Sequence, residues 1–229
     1  MSLSDSLSGV ALELRRHDLP GRLVAVCGAD GTGKSTTVSL LATALRNEVA
    51  DASSVVHVRQ PSNWMRSDPH YNSTIVKEGG AELADEFSLG VFGVADRLNQ
   101  QARIIEPALA AGNTVVADRY AFCLLAYYLA MREPKLHYLA SICELLFQPD
   151  ITFVLDCPPQ VAVERVIERD GPRAEKYEQQ IGPATEMMEA YRAIARRNKL
   201  HLVSSVDPPE VVVTKLREIL YEHDIGAGV

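Results

Sequence analysis

The chain has no surplus of positive charge: 23 Lys and Arg stand against 30 Asp and Glu, for a formal net charge of -7. Broad attraction to nucleic acid or to an anionic membrane needs a cationic excess, so neither is an expected partner, and any anionic ligand must be held by a local cluster. There is no uninterrupted apolar run of the roughly 18 residues that a spanning helix needs. The opening MSLSDSLSGV has neither the basic nor the apolar region of an export signal. A cytoplasmic protein is expected. Cysteine is sparse and scattered, at Cys27, Cys123, Cys143 and Cys157, with no CxxC pair and no histidine at ligand spacing. This argues against zinc or dithiol redox chemistry and for buried, reduced thiols. Internal repeats, low-complexity tracts and a convincing linker are lacking too. The expectation is a single domain over 21–229, preceded by a Ser-rich flexible extension over 1–20.

What the chain does have is an alternation of short apolar runs with longer helical patterns. RLVAVCG, SVVHVR, TVVADR, DITFVLD and LHLVSS each read as a strand covered on both faces. Between the first two, Val38, Leu41, Ala42, Leu45 and Val49 recur at helical spacing. Near the end, DPPE reads as a helix start, with Asp207 capping, Pro208 in the first turn and Glu210 at the positive end of the dipole. The order implies an α/β fold with a parallel five-stranded sheet.

The first strand runs into GADGTGKST, which satisfies G-x-x-x-x-G-K-S/T at Gly28, Gly33, Lys34 and Ser35, with a strand before it and a helix after it. Such a P-loop turns successive amides inward on phosphate oxygens, and the helix N-terminus adds partial positive charge. Gly28, Ala29, Gly31, Thr32, Gly33, Lys34, Ser35 and Thr36 are the expected ATP-binding residues. Lys34 is expected on the β and γ phosphates, and the Ser35 hydroxyl on Mg²⁺. No N-K-x-D guanine-reading motif occurs. Arg59 ends the second strand and Arg119 follows the third, where open α/β sheets bind ligands, and a planar guanidinium suits an oxyanion.

Several separated motifs together resemble the thymidylate kinase family, from about Arg22 to about Asn198. GADGTGKST is similar to the family's G-x-D/E-G-x-G-K-S/T-T. VADRLNQQARIIEPALAAGNTVVADRY resembles its long helix bearing Ala-Asp-Arg followed by the strand ending in Asp-Arg-Tyr. QPDITFVLDCPPQVAVERVIERDG resembles its fourth strand, Asp-x-Pro-Pro turn and approach to the lid. The resemblance implies a three-layer α/β/α P-loop NTPase with a small helical lid, ATP and Mg²⁺ as cofactors, and a homodimer. It gives Asp30, Lys34, Arg119, Arg169 and Arg173 catalytic roles, with Arg165 and Lys176 as further lid candidates. It implies substrate contacts from Asp30, Arg59, Gly93, Arg97, Arg119 and Tyr127, and places Asp118 with Ser35 at the metal.

The acceptor is expected to be already phosphorylated, because such a group attacks without a general base. Gln60 stands where many relatives have Glu, and an amide cannot take a proton from a sugar hydroxyl. The base pocket departs from the family. Gly93 replaces the phenylalanine that stacks on thymine, with Phe92 one residue away, and Cys123, Leu124, Tyr127 and Tyr128 follow Asp-Arg-Tyr where polar base contacts are usual. Tyr127 keeps the position that crowds a 2'-hydroxyl. A larger, more apolar pocket is expected, with Trp64 or Tyr128 stacking, and SNWMRSDPHYNST is expected as a loop near the acceptor. The first reading is transfer of the ATP γ-phosphoryl group to a deoxynucleoside monophosphate, dTMP to dTDP. The alternatives are another nucleotide, a nucleoside or a small phosphorylated metabolite as acceptor, or a nucleotide-binding regulator without turnover.

Overall fold

The computed structural model describes residues 12–74, 85–171 and 180–227. The first strand, β1 (Arg22–Gly28), is buried from Leu23 onward. Its alternating side chains feed two separate cores: Leu23, Ala25 and Cys27 enter one, Val24 and Val26 the other. Next come helix α1 (Lys34–Glu48), strand β2 (Val55–Arg59) and the short helices α2 (Asn63–Arg66) and α3 (Pro69–Thr74). The long helix α4 (Glu86–Gln100) passes through a wide π turn over Gln101–Ile105 into α5 (Glu106–Ala110). Pro107 has no amide to give to the preceding turn, and the wide turn lies just before it. Strand β3 (Thr114–Asp118) follows, then α6 (Ala121–Ala130), α7 (Leu136–Cys143), β4 (Ile151–Asp156), α8 (Pro159–Asp170), α9 (Ile181–Arg197), β5 (His201–Ser204) and α10 (Pro209–Ala227).

The five runs read as strands are the five that form, all parallel, in the order β2-β3-β1-β4-β5. Val38, Leu41 and Ala42 of α1 join Val212, Val213 and Leu216 of α10 on one face. Residues of α4, α6, α7 and α9 cover the other, which completes three layers. Strands β3 and β4 are consecutive in the chain but lie on opposite sides of β1. The crevice at such a switch point, beyond the carboxyl ends of the strands, is where open α/β sheets take ligands. The register sets Asp118 beside Val26 on one side and Arg59 on the other.

The expected extension over 1–20 is too long. Residues 1–11 lie outside the described residues, but Leu12 and Leu14 are buried in the core. Arg15 donates its amide to the Leu146 carbonyl at 2.9 Å and accepts the Gln148 amide at 2.7 Å. Two leucines at alternate positions give this segment a buried face, which its serine-rich start does not suggest. The four cysteines are free and buried, as expected. Among the described residues no helix is long and apolar enough to cross a membrane.

Candidate active site

Beyond β1 the chain curls tightly because Gly28, Gly31 and Gly33 take φ values of 145°, 80° and 80°. At two of these positions a side chain is excluded. A Cβ on Gly28 would stand 2.7 Å from the Leu155 carbonyl oxygen, and one on Gly31 would stand 2.2 Å from that of Ala162. A Cβ on Gly33 would meet nothing within 4 Å, so this glycine serves the left-handed backbone and leaves the mouth of the loop clear. The loop and the start of α1 floor a cleft of about 810 Å³, walled by Arg59, Arg119, Arg165, Arg169 and Pro208 among others. That volume is within the usual range for a small-molecule site.

Lys34 lies over its own loop. Its Nζ donates to the Ala29 carbonyl at 2.6 Å and stands 3.5 Å from Asp30 Oδ1. Burial, and after it the Arg119 charge, lowers the Lys34 pKa, while Asp30 works the other way. Arg119 Nη2 donates to Asp30 Oδ1 at 2.5 Å, which ties the end of β3 to the loop after β1. The Arg119 backbone is left-handed, with φ 72°, and its amide donates to the Val26 carbonyl at 3.0 Å. A non-glycine residue persists in that region only where its surroundings over-determine it, and such positions gather at functional sites. Burial resists ionisation of Asp30, yet the charges of Arg119 and Lys34 together outweigh it and hold the carboxyl well below the usual range.

Ser35 Oγ donates to Asp118 Oδ2 at 3.0 Å, and Arg59 Nε lies 3.9 Å from the same oxygen. Asp118 is 2% exposed and its Oδ1 has no hydrogen-bond partner. A buried carboxyl oxygen without a donor is costly, and beside a serine hydroxyl it completes a hard oxygen set of the kind that suits Mg²⁺ or its water shell. The two residues expected at the metal are therefore adjacent and fit the ion.

On the β2 side, Arg97 is 3% exposed, donates Nη1 to the Gly93 carbonyl at 2.7 Å and leaves Nε without a partner. Among the described residues no carboxylate pairs with it. The space beside Gly93 is filled: a Cβ there would come within 3.2 Å of Leu124 Cδ1 and 3.7 Å of Met65 Cε. With Arg97 Nη1 at 3.4 Å as the third neighbour, the place where a ring was expected to be missing is occupied by Leu124, Met65 and the Arg97 guanidinium. Tyr128 does not stack on a ligand. It is buried in the core, with its hydroxyl donating to the Glu86 carbonyl at 2.6 Å. Trp64 is 52% exposed and meets Phe92 edge-on at 5.1 Å, while half-buried Tyr127 packs edge-on against Tyr128 at 5.1 Å.

Arg169 lines the cleft and donates Nε to Asp170 at 2.8 Å. Arg165 braces the end of β5, donating to the carbonyls of Ser205 at 2.9 Å and Val206 at 3.1 Å. Arg173 and Lys176, the remaining lid candidates, lie outside the described residues. Sequence reasoning missed a clamp beneath the site. Asp96 accepts the Ser62 amide at 2.8 Å and the Ser62 hydroxyl, while Gln100, one turn on, accepts from Gln60 at 3.0 Å and donates to the Arg59 carbonyl at 3.1 Å. The i, i+4 spacing of two buried polar residues on α4 was the available signal.

A parallel 2-3-1-4-5 sheet, a glycine loop opening a helix at its switch point, and a lysine and serine at that helix start define a P-loop nucleotide-binding protein. A family profile described as thymidylate kinase matches residues 26–216. The chain is 30% identical over 211 residues to the thymidylate kinase of Thiobacillus denitrificans, covering 89% of this chain and 98% of that one. It is 31% identical over 201 residues to a probable thymidylate kinase of Pyrobaculum aerophilum, covering 86% and 95%. The crystal structure of the Ehrlichia chaffeensis thymidylate kinase superposes with a TM-score of 0.63 at 21% identity, over 87% of this chain and 98% of that one, and so shares the fold. The chain belongs to the thymidylate kinase family.

Proposed function

We propose that the protein transfers the γ-phosphoryl group of ATP to a deoxynucleoside monophosphate, with dTMP as acceptor and dTDP as product, in the cytoplasm and as a homodimer. The observation that carries this reading is the Arg119–Asp30 pair at 2.5 Å, which binds the phosphate loop to the arginine-bearing end of β3. Donor and acceptor phosphates would meet across it. Family membership supports the choice of nucleotide substrates and the dimer.

In this reading the loop amides and Lys34 hold the donor phosphates, and Arg169 adds charge from the lid side. Arg59, Arg97 and Arg119 hold the acceptor phosphate, whose own oxygen attacks, so the chain needs no base. Asp30 keeps Arg119 aimed and meets the sugar, and Tyr127 excludes a 2'-hydroxyl. Ser35 and Asp118 would hold Mg²⁺, which supplies charge neutralisation on the phosphate oxygens. Gln60 is fully buried and bonded to Gln100, so it fits no part in proton transfer.

The filled space beside Gly93 favours a second reading, in which the same phosphate chemistry serves a different base. Initial rates with MgATP across deoxynucleoside monophosphates, ribonucleoside monophosphates and thymidine separate the two. The first reading expects dTMP to be preferred and thymidine to be inert, with Lys34→Ala slower by at least about 100-fold. Turnover of thymidine but of no monophosphate would contradict both.

A further inference from the structure

We propose that the chain carries a second ligand site, for a small tetrahedral oxyanion such as free phosphate, at the end of the sheet opposite the nucleotide cleft. The site is a cavity of about 220 Å³ at the amino ends of β4 and β5. It shares no lining residue with the cleft over the phosphate loop, and it stands whichever acceptor that cleft serves.

Part of the cavity wall lies outside the region that matches the family. Leu12 and Leu14 precede residue 26, where the match begins, and His223 follows residue 216, where it ends. The leading segment is firmly held: beside its two backbone bonds to the 146–148 stretch, the Arg15 guanidinium lies 4.6 Å from the centre of the Phe147 ring. Segments beyond the matched core thus complete a cavity at its base.

The polar groups around this space are donors short of acceptors. Lys199 follows the end of α9 with a left-handed backbone, φ 54°, at a place that helices usually give to glycine or asparagine. Among the described residues no carboxylate pairs with its ammonium. His201 and His223 line the same space. Asp150, the one carboxylate among the described lining residues, is engaged elsewhere: its Oδ2 accepts the Leu23 amide at 2.7 Å and lies 3.4 Å from His17 Nε2. Thr152 interrupts the apolar run of β4 and is 5% exposed, yet its hydroxyl makes no hydrogen bond among the described residues. A hydroxyl left in that state at a cavity wall costs stability unless water or a ligand satisfies it.

These features select the kind of occupant. A metal ion would meet the Lys199 charge, and among the described residues no three of His, Cys, Asp and Glu gather to hold one. A whole nucleotide is too large, since pockets for ligands of that size run to about 300–1,000 Å³. An anion with several acceptor oxygens can take an ammonium, imidazoles and a hydroxyl together.

Sulfate, which has the shape of phosphate, is the probe, and the histidine ring signals in proton–carbon NMR are the readout. The full chain is first saturated with a non-hydrolysable ATP analogue and Mg²⁺, so that the phosphate loop is filled. Sulfate should then shift His201 and His223 saturably, with a midpoint of about 1–10 mM, while His137, which does not line the cavity, stays in place. Chloride at the same ionic strength should not reproduce the shifts. Lys199→Asn suits the left-handed backbone without the charge and should weaken sulfate about 5- to 10-fold. Thr152→Val changes no charge and should weaken it about 2- to 5-fold, with Thr152→Ser keeping the wild-type affinity. Shifts that rise without saturating, or that chloride matches, would overturn the site. So would unchanged sulfate affinity in Lys199→Asn, or in a Thr152→Val protein that still binds the ATP analogue, because the anion would then lie outside the cavity.

Discussion

At the residue scale, the pair that decides most is Asp30 with Arg119. Their contact spans 89 positions of sequence and brings the phosphate loop under the control of the strand beside it. Replacing Arg119 by Ala should cost about 10- to 100-fold in acceptor kcat/KM, with a much smaller change in the KM for ATP. Steady-state kinetics varying each substrate in turn checks this. Asp30 also has a pH signature. Its folded pKa lies below the unfolded value of 3.8, so the stability it contributes is present above that value and is lost as pH falls through the folded pKa. Urea midpoints of wild type and Asp30→Asn should therefore differ by a constant amount between about pH 5 and 8, and converge on acidification below about pH 4. A difference that grew as pH fell would mean that Asp30 is not held ionised by Arg119 and Lys34.

At the element scale, two glycines of one loop should behave differently. Gly31→Ala would drive a Cβ to 2.2 Å from the Ala162 backbone, which has no rotamer to yield, so a stability loss of about 1–3 kcal/mol is expected together with loss of ATP binding. Gly33→Ala meets nothing within 4 Å, and only its left-handed backbone is penalised, at about 1 kcal/mol. Thermal unfolding read beside nucleotide affinity distinguishes them. The clamp on α4 makes a third case: Asp96→Ala leaves the Ser62 amide without its partner and should cost about 1–3 kcal/mol. The elements themselves were largely legible. Five apolar runs between helical patterns gave the sheet, and GADGTGKST located the loop on it, because burial on both faces and phosphate cradling each leave a local pattern. The clamp, the packing of Leu124 and Met65 beside Gly93, and the burial of Tyr128 were not legible. Each depends on which side chains from distant segments share a space, and no local spacing records that. Leu12 and Leu14 were masked by a polar neighbourhood, although their alternation was in view.

At the scale of the whole molecule, the sheet order does the work that single residues cannot. With β1 between β3 and β4, the carboxyl ends of three strands deliver the glycine loop, the Asp118–Arg119 pair and the start of α8 to one crevice. Arg59 arrives from β2 by the same register that puts it beside Asp118. A net charge of -7 then matters less than its distribution, since the cations that meet a polyanion are collected at one end of the sheet. The most direct measurement is phosphorus NMR of wild-type protein incubated with MgATP and dTMP, with Lys34→Ala as control. ADP and dTDP should grow together in equal amounts with wild type and stay near background with the variant. ADP appearing with inorganic phosphate and no nucleoside diphosphate from the acceptor, or no turnover of any monophosphate by folded wild type, would contradict the assigned chemistry.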